Sequence, residues 1–437
     1  MTTWCLVSFV LSSVNPFSDM MFRDFLQDHV DPMSFLGLSS TSTSRSLTVS
    51  YPAVAAPTLD GSSASSSLAI VWKPFQHPFP CFPSSDRLMV TKPARQGILF
   101  QRPTKVASTT MVGIILRLAH HRTYEKTVGM TDQQQHDLVC EHRTMHGSAV
   151  SYEYGQRDAS KSFLLSLVRD PTQRAISEFF HFAVAGSDVV PTDENFQAYL
   201  RMERMMNYYL NDLKMQEYTE NYSEDELESM FYAKRGISER EYDRVLTEGT
   251  MEQAMLLERE WQDFSQFAPI VNHNRVVQDI LSSYNFIGVT ERMDESLLVL
   301  QTLLNLTTRE ILYTRARSSG SFSVGIQPHS CKFIFPSFVT PGMQEYFASK
   351  EWKRTIRGDQ LLYDAVNASL DRTIDALGRT EFERKLKDFR VLLARAQAHC
   401  EVRLIPLCGP GGKRNDETSC YIWGEGCDHE CLQDFVF

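Results

Sequence analysis

Three times along this chain a short, unbroken apolar run ends at a turn and passes straight into a helix-patterned stretch, and no other feature limits the fold as strongly. The first run, Gly97-Ile98-Leu99-Phe100-Gln101-Arg102, stops at Pro103. Met111, Ile114, Ile115, Leu118 and Ala119 then recur at helical spacing, with Ser108, Thr109 and Thr110 as capping candidates. The second, Phe163-Leu164-Leu165-Ser166-Leu167-Val168-Arg169, meets Asp170-Pro171. Asp170 has N-cap chemistry, Pro171 suits a first helical turn, and a helix is expected from Arg174 to Phe182. The third, Tyr284-Asn285-Phe286-Ile287-Gly288-Val289-Thr290, leads into an amphipathic stretch from Asp294 to Leu306. Strands alternating with helices at this spacing predict an α/β fold, with a P-loop-like, mainly parallel central sheet flanked by helices.

Composition agrees with one large core: of 437 residues, 42% are hydrophobic and 22% charged, which excludes a disordered or coiled-coil chain. The α/β domain is expected over residues 96–399. Ahead of it, residues 1–20 hold an apolar run from Trp4 to Val14, shorter than the about 20 residues a spanning helix needs. That run reads as a signal or short anchor, with an irregular start as the alternative. Residues 21–95 turn rich in Ser, Thr, Pro and Ala from Ser39 onward and read as a stem or linker. Inside the domain, the charged and periodic residues 193–266 predict a helical insertion on the substrate side, or a lid. Further helices are expected over Asp359 to Leu377 and up to about His399. In residues 400–437, Cys400, Cys408, Cys420, Cys427 and Cys431 crowd together and predict a stapled, Cys-rich tail.

The net charge of −10 makes the chain a poor general binder of nucleic acid, so any polyanion site must be a local basic pocket. Two elements fit one. In Pro103-Thr104-Lys105-Val106-Ala107-Ser108-Thr109-Thr110, a lysine and three successive hydroxyls lie between strand and helix, where free N–H groups and the helix dipole favour a phosphate. The same residues fit an ordinary Ser/Thr cap. The order differs from G-x-x-x-x-G-K-[ST], which disfavours a nucleoside triphosphate with Mg²⁺. In the second element Arg169 ends a strand and Ser177 follows two helical turns later, a guanidinium and a hydroxyl for another phosphate. Alone, Arg169-Asp170-Pro171 is a common strand-to-helix turn.

Taken in order, the two elements resemble those of the Golgi-type carbohydrate sulfotransferases, which use 3′-phosphoadenosine 5′-phosphosulfate (PAPS). Residues 103–110 resemble the family's P-K-x-[AG]-S-[TS]-[TS] loop, with Thr104 inserted after the proline, as in the galactose-3-O-sulfotransferase branch. Arg169, Asp170, Pro171, Arg174 and Ser177 match R-D-P-x-x-R-x-x-x-S, and residues 286–296, FIGVTERMDES, resemble a later strand-helix segment. The resemblance covers about residues 97–306. It implies that Lys105, Ala107, Ser108, Thr109 and Thr110 hold the 5′-phosphosulfate, that Arg169 and Ser177 hold the 3′-phosphate, and that no metal is required. Lys105 would neutralise charge on the leaving oxygen.

An acceptor hydroxyl needs a general base. His142 and His146 follow a short apolar strand, Leu138-Val139, and residues that leave the carboxyl end of a parallel strand face the crevice. With a similar stretch in the galactose-3-O-sulfotransferase branch, this assigns His142 as base, with His146 and Glu141 as alternates. Arg143, Lys161 and the group Phe179, Phe180, His181 and Phe182 are candidates for the acceptor side, about half of the aromatics being core.

The resemblance implies a glycan, glycolipid or glycoprotein acceptor and a Golgi or secretory, membrane-associated setting, the N-terminus being the attachment. Sequons at Asn221, Asn305 and Asn367 are compatible with that setting. Oligomeric state and acceptor sugar stay open. The alternatives are a non-catalytic extracellular anion or glycan binder on the same fold, and a P-loop kinase or NTPase. In the tail, Cys420, Cys427, His429 and Cys431 have a C-x6-C-x-H-x-C spacing that fits zinc less well than disulfides.

Overall fold

A computed structural model describes residues 67–77, 82–83, 97–127, 138–139, 143–202, 205–217, 231–232, 235–267, 273–314, 320–324, 331–415, 417–418, 431–432 and 434–435. All lie in the unit formed by residues 60–87 and 93–437. At its centre four strands run parallel: β1 (Gly97–Gln101), β2 (Arg143–Met145), β3 (Ser162–Val168) and β4 (Phe286–Val289), in spatial order β2-β1-β3-β4. Every residue of β1, β3 and β4 is buried, the signature of a parallel sheet covered by helices. The α/β expectation holds.

Each strand leads where its sequence points. β1 turns at Pro103 into α1 (Ser108–Thr127), and β3 turns at Asp170 into α2 (Pro171–Glu178). Asp170 caps α2 by accepting from the Gln173 N–H at 2.8 Å, with Pro171 in the first turn. The helix expected through Phe182 changes at Phe179 into a π-helical turn, Phe179–Val184. After β4 a single 3-10 turn, Thr290–Arg292, precedes α7 (Met293–Leu304). There Ser296 Oγ accepts from Val289 N–H at 2.9 Å, and a Cβ on Gly288 would meet Leu167 and Ser296, so strand and helix pack without room for a side chain.

The insertion divides into two parts. Helices α4 (Glu239–Glu248) and α5 (Met251–Phe267) are largely exposed, in keeping with their charge. The preceding helix α3 (Tyr208–Leu213) is not a surface element: Tyr209, Leu210 and Leu213 belong to the main core. Beyond the insertion, α6 (His273–Ser283) and α8 (Arg357–Leu377) pack together, and α8 also lies against β4 and α3. Helix α9 (Arg379–Glu401) follows α8.

The margins of the domain add detail to the expectations, and the Cys-rich tail is stapled as expected. Residues 67–77, within the stretch read as linker, lie on the domain: Trp72 is buried edge-on against Phe286, and its N–H donates to Thr373 Oγ1 at 3.1 Å. The apolar run Leu68-Ala69-Ile70-Val71-Trp72 buries enough surface to offset its ordering, which the surrounding Ser-rich composition hides. In the tail, Cys400 bonds Cys431, but Cys408 reaches back to Cys331, outside the cysteine cluster. Since Cys431 is committed to that disulfide, the zinc reading loses one of its four ligands. Cys420, Cys427 and His429 lie outside the described residues.

Candidate functional site

The chain leaves β1 for β2 on one side and leaves β3 for β4 on the other, so the strand order reverses between β1 and β3. In an open parallel sheet this is where a crevice forms, outside the carboxyl ends of the two strands. The elements that follow those two strands are residues 103–110 and Arg169-Asp170.

The first element is folded for an anion. Lys105 and Ala107 both have left-handed backbones, with φ of 62° and 58°. Alternation of this kind turns successive N–H groups toward one point, and alanine is among the smaller residues that tolerate it. The N–H groups of Val106, Ala107, Ser108 and Thr109 make no hydrogen bond among the described residues, the last two being unpaired donors of the first turn of α1. Val106 is fully buried and fixes the loop from beneath, and its carbonyl accepts from Thr290 Oγ1 at 2.9 Å. Ser108 and Thr110 are buried, whereas Thr109 is half-buried.

The second element meets the first directly. Arg169 Nη1 donates to Lys105 O at 3.3 Å, while Arg169 Nε lies 3.8 Å from Glu291 Oε1. Glu291 Oε1 also accepts from the Asp170 N–H at 3.0 Å. Burial pushes the Glu291 carboxyl above its ordinary value, and burial does the same to Asp170. Thus residues 286–296 supply Thr290 to one loop and Glu291 to the other. Ser177 is half-buried on α2, and its hydroxyl has no hydrogen bond among the described residues. Arg174 behaves differently from Arg169. It is buried, ion-paired with Glu178, and stacked on Tyr208 at 3.9 Å. Burial opposes its charge, but Glu178, the two tyrosines and Asp359 more than compensate, so it stays a structural cation.

The histidine pair is resolved on one side. His142 and Glu141 lie outside the described residues. Leu138–Val139, the strand on which the assignment of His142 leaned, pairs antiparallel with Phe82–Pro83 in a separate ribbon. The sheet strand is β2, which pairs Met145 with Gln101, so the residue leaving its carboxyl end is His146. His146 Nδ1 sits 2.8 Å from Arg102 O, at the exit of β1. A carbonyl only accepts, so Nδ1 carries a proton, and in the neutral ring the lone pair is then on Nε2.

A sulfotransferase family model matches residues 88–330, more than half of the chain. The chain belongs to the sulfotransferase family. Sulfuryl transfer is therefore its reaction class, and both anion elements, with residues 286–296, fall inside the matched span. No curated protein matches the chain.

Of the acceptor-side candidates in this sulfotransferase, Phe179 and Phe180 are buried, whereas His181 and Phe182 are half-buried and meet edge-on at 4.8 Å. Lys161 is corrected: it precedes β3, at the amino end of the sheet, opposite the crevice. The side chain of Arg143 lies outside the described residues. Sequence reasoning missed Tyr208 and Tyr209, which touch the two loops from the charged insertion, and the role of Asp359, which braces them from α8. The only local signal was an adjacent aromatic pair inside a charged region.

Proposed function

We propose that the chain transfers a sulfuryl group from PAPS to a hydroxyl of a glycan or glycolipid, with His146 as the general base. The observation that carries this reading is the convergence of two anion elements at the switch point of the sheet, one presenting unpaired N–H groups and the other Arg169. The site suits a donor with two separated phosphates. The left-handed loop and the first turn of α1 hold one by N–H donors and by the hydroxyls of Ser108, Thr109 and Thr110. Arg169 and Ser177 hold the other.

PAPS, when bound, supplies an SO₃-like group that moves in line to the acceptor oxygen, much as in phosphoryl transfer. Lys105 then sits on the loop that meets the leaving oxygen and stabilises the charge that builds there. Nε2 of His146, with Nδ1–H anchored on Arg102 O, takes the proton of the attacking hydroxyl. His146 is preferred over His142 because it is the residue that leaves β2 beside the loop.

The disulfides Cys331–Cys408 and Cys400–Cys431 support an oxidising compartment, consistent with a secretory, membrane-associated enzyme anchored through its N-terminus. Transfer of labelled sulfate from PAPS across a glycan panel tests the activity. His146→Asn should abolish transfer while leaving binding of 3′-phosphoadenosine 5′-phosphate (PAP) within about twofold, and His142→Gln should retain turnover. The reverse pattern returns the base to His142. Transfer to none of the acceptors, with PAP bound, favours a non-catalytic anion binder.

A further inference from the structure

Helix α3 touches both anion elements at once. The Thr104 N–H donates to Tyr208 Oη at 2.8 Å. The neighbouring Tyr209 Oη donates to Arg169 O at 2.7 Å and accepts from the Arg169 N–H at 2.9 Å. Both rings lie against one guanidinium, Arg174, at 3.9 and 5.6 Å from their centroids. Thr104 is the residue by which this loop is longer than the family pattern, so its N–H is bound by a partner that the core motif does not contain.

The helix itself is firmly seated. Asp359 Oδ1, fully buried on α8, accepts from Tyr209 N–H at 2.8 Å and Leu210 N–H at 3.4 Å. Asn207 takes a left-handed backbone, donates its N–H to Thr355 O at 3.0 Å, and accepts from Gly358 N–H at 2.9 Å. A Cβ on Gly358 would collide with the side chains of Leu210 and Asn207, so α3 packs its side chains directly onto the α8 backbone. At its other end Asp212 O accepts from Ala149 N–H at 2.8 Å, three residues beyond His146.

We propose that Tyr208 and Tyr209 are positioning residues for the donor nucleotide, two adjacent hydroxyls on one rigid helix that fix the spacing between its two phosphate sites. The inference rests on the donor reading above. A ligand with two anionic groups binds well only if both sites are held at the right separation, and loops that must be brought into place on binding weaken it. The rings alone, stacked on Arg174, set the core; the hydroxyls set the loops.

The test uses Tyr208→Phe, Tyr209→Phe and the double variant, which keep the rings, and Tyr346→Phe as a control whose hydroxyl, among the described residues, donates to Glu351 and to neither loop. Isothermal titration with PAP and steady-state kinetics are read side by side. One or two hydrogen bonds of about 1 kcal/mol each translate to a loss of about fivefold for Tyr208→Phe and about thirtyfold for Tyr209→Phe. The loss should appear in the PAP Kd and in KM for PAPS, with KM for the acceptor unchanged and far-UV spectra and melting within a few degrees of the parent. Equal PAP affinity in parent, variants and control overturns the proposal while the donor reading stands. A parent that binds no PAP overturns both. A loss shared equally by PAP and acceptor marks a general structural role and also overturns it.

Discussion

Asp212 offers a test in which the structure fixes both a sign and a size. The residue is half-buried, but its Oδ2 is enclosed and has no hydrogen-bond partner among the described residues. Burial, outweighing the Tyr208 hydrogen bond and the Arg174 charge, raises the carboxyl from its ordinary 3.8 to about 7. A group with a raised folded pKa holds its proton more tightly when folded. Its contribution to stability is therefore complete below about pH 4, falls as pH rises toward about 7, and is flat above that. By linkage, ionising Asp212 costs about 4 kcal/mol at pH 8 and about 1–2 kcal/mol at pH 5, a difference of about 2–3 kcal/mol. In Asp212→Asn that titration is gone. The new amide still accepts from Tyr208, and its unpaired Nδ2 costs about 1–3 kcal/mol at every pH. Asp359, raised by burial to about 7 as well, titrates in both proteins and cancels in the comparison. Urea unfolding of parent and variant at pH 5, 6.5 and 8 should show the variant gaining about 2–3 kcal/mol on the parent across that range. A difference constant within about 0.5 kcal/mol would refute the reasoning.

Other consequences follow from the same geometry. Arg174→Met leaves Glu178 buried without its partner and should cost about 3–5 kcal/mol in chemical unfolding, much of it recovered when Glu178→Leu is added; equal stability of single and double variants would contradict the ion-pair account. Ala107→Val places a β-branched residue at φ 58° and should weaken PAP binding at least tenfold with melting lowered, whereas Ala107→Gly should bind as well as the parent. Of the described sequons, Asn305 is exposed at the end of α7, while Asn367 lies within α8 and donates to Tyr363 O. Glycosidase treatment of secreted protein should therefore release a glycan from Asn305 and none from Asn367, and a glycan on Asn367 would show that α8 opens before folding.

The reading from sequence succeeded where chemistry and chain order are local. Asp170-Pro171 caps its helix because the carboxylate and the ring act on their nearest neighbours. The three strand-turn-helix units became a parallel sheet because each apolar run must be covered on two faces. The strand-to-helix turn at residues 103–110 was legible because its hydroxyls stand at the start of α1, whereas the left-handed backbones of Lys105 and Ala107 were not. His142 itself lies outside the described residues, but the strand it was read from, Leu138–Val139, belongs to a side ribbon, and sequence cannot tell a strand of the main sheet from a strand of a side ribbon. Pairing decides that, and it put the crevice end of β2 at His146.

What the sequence determined by itself, then, is the pair of strand-to-helix loops, their order, and the sheet that carries them, all set by contacts within a few residues. What only the tertiary structure decided is their mutual placement. Tyr208 and Tyr209 reach Thr104 and Arg169 across 104 and 40 residues, and Glu291 reaches Asp170 across 121. Bonds at such separations leave no periodicity in a charged insertion, because each is made by one side chain to a backbone group that any residue could supply.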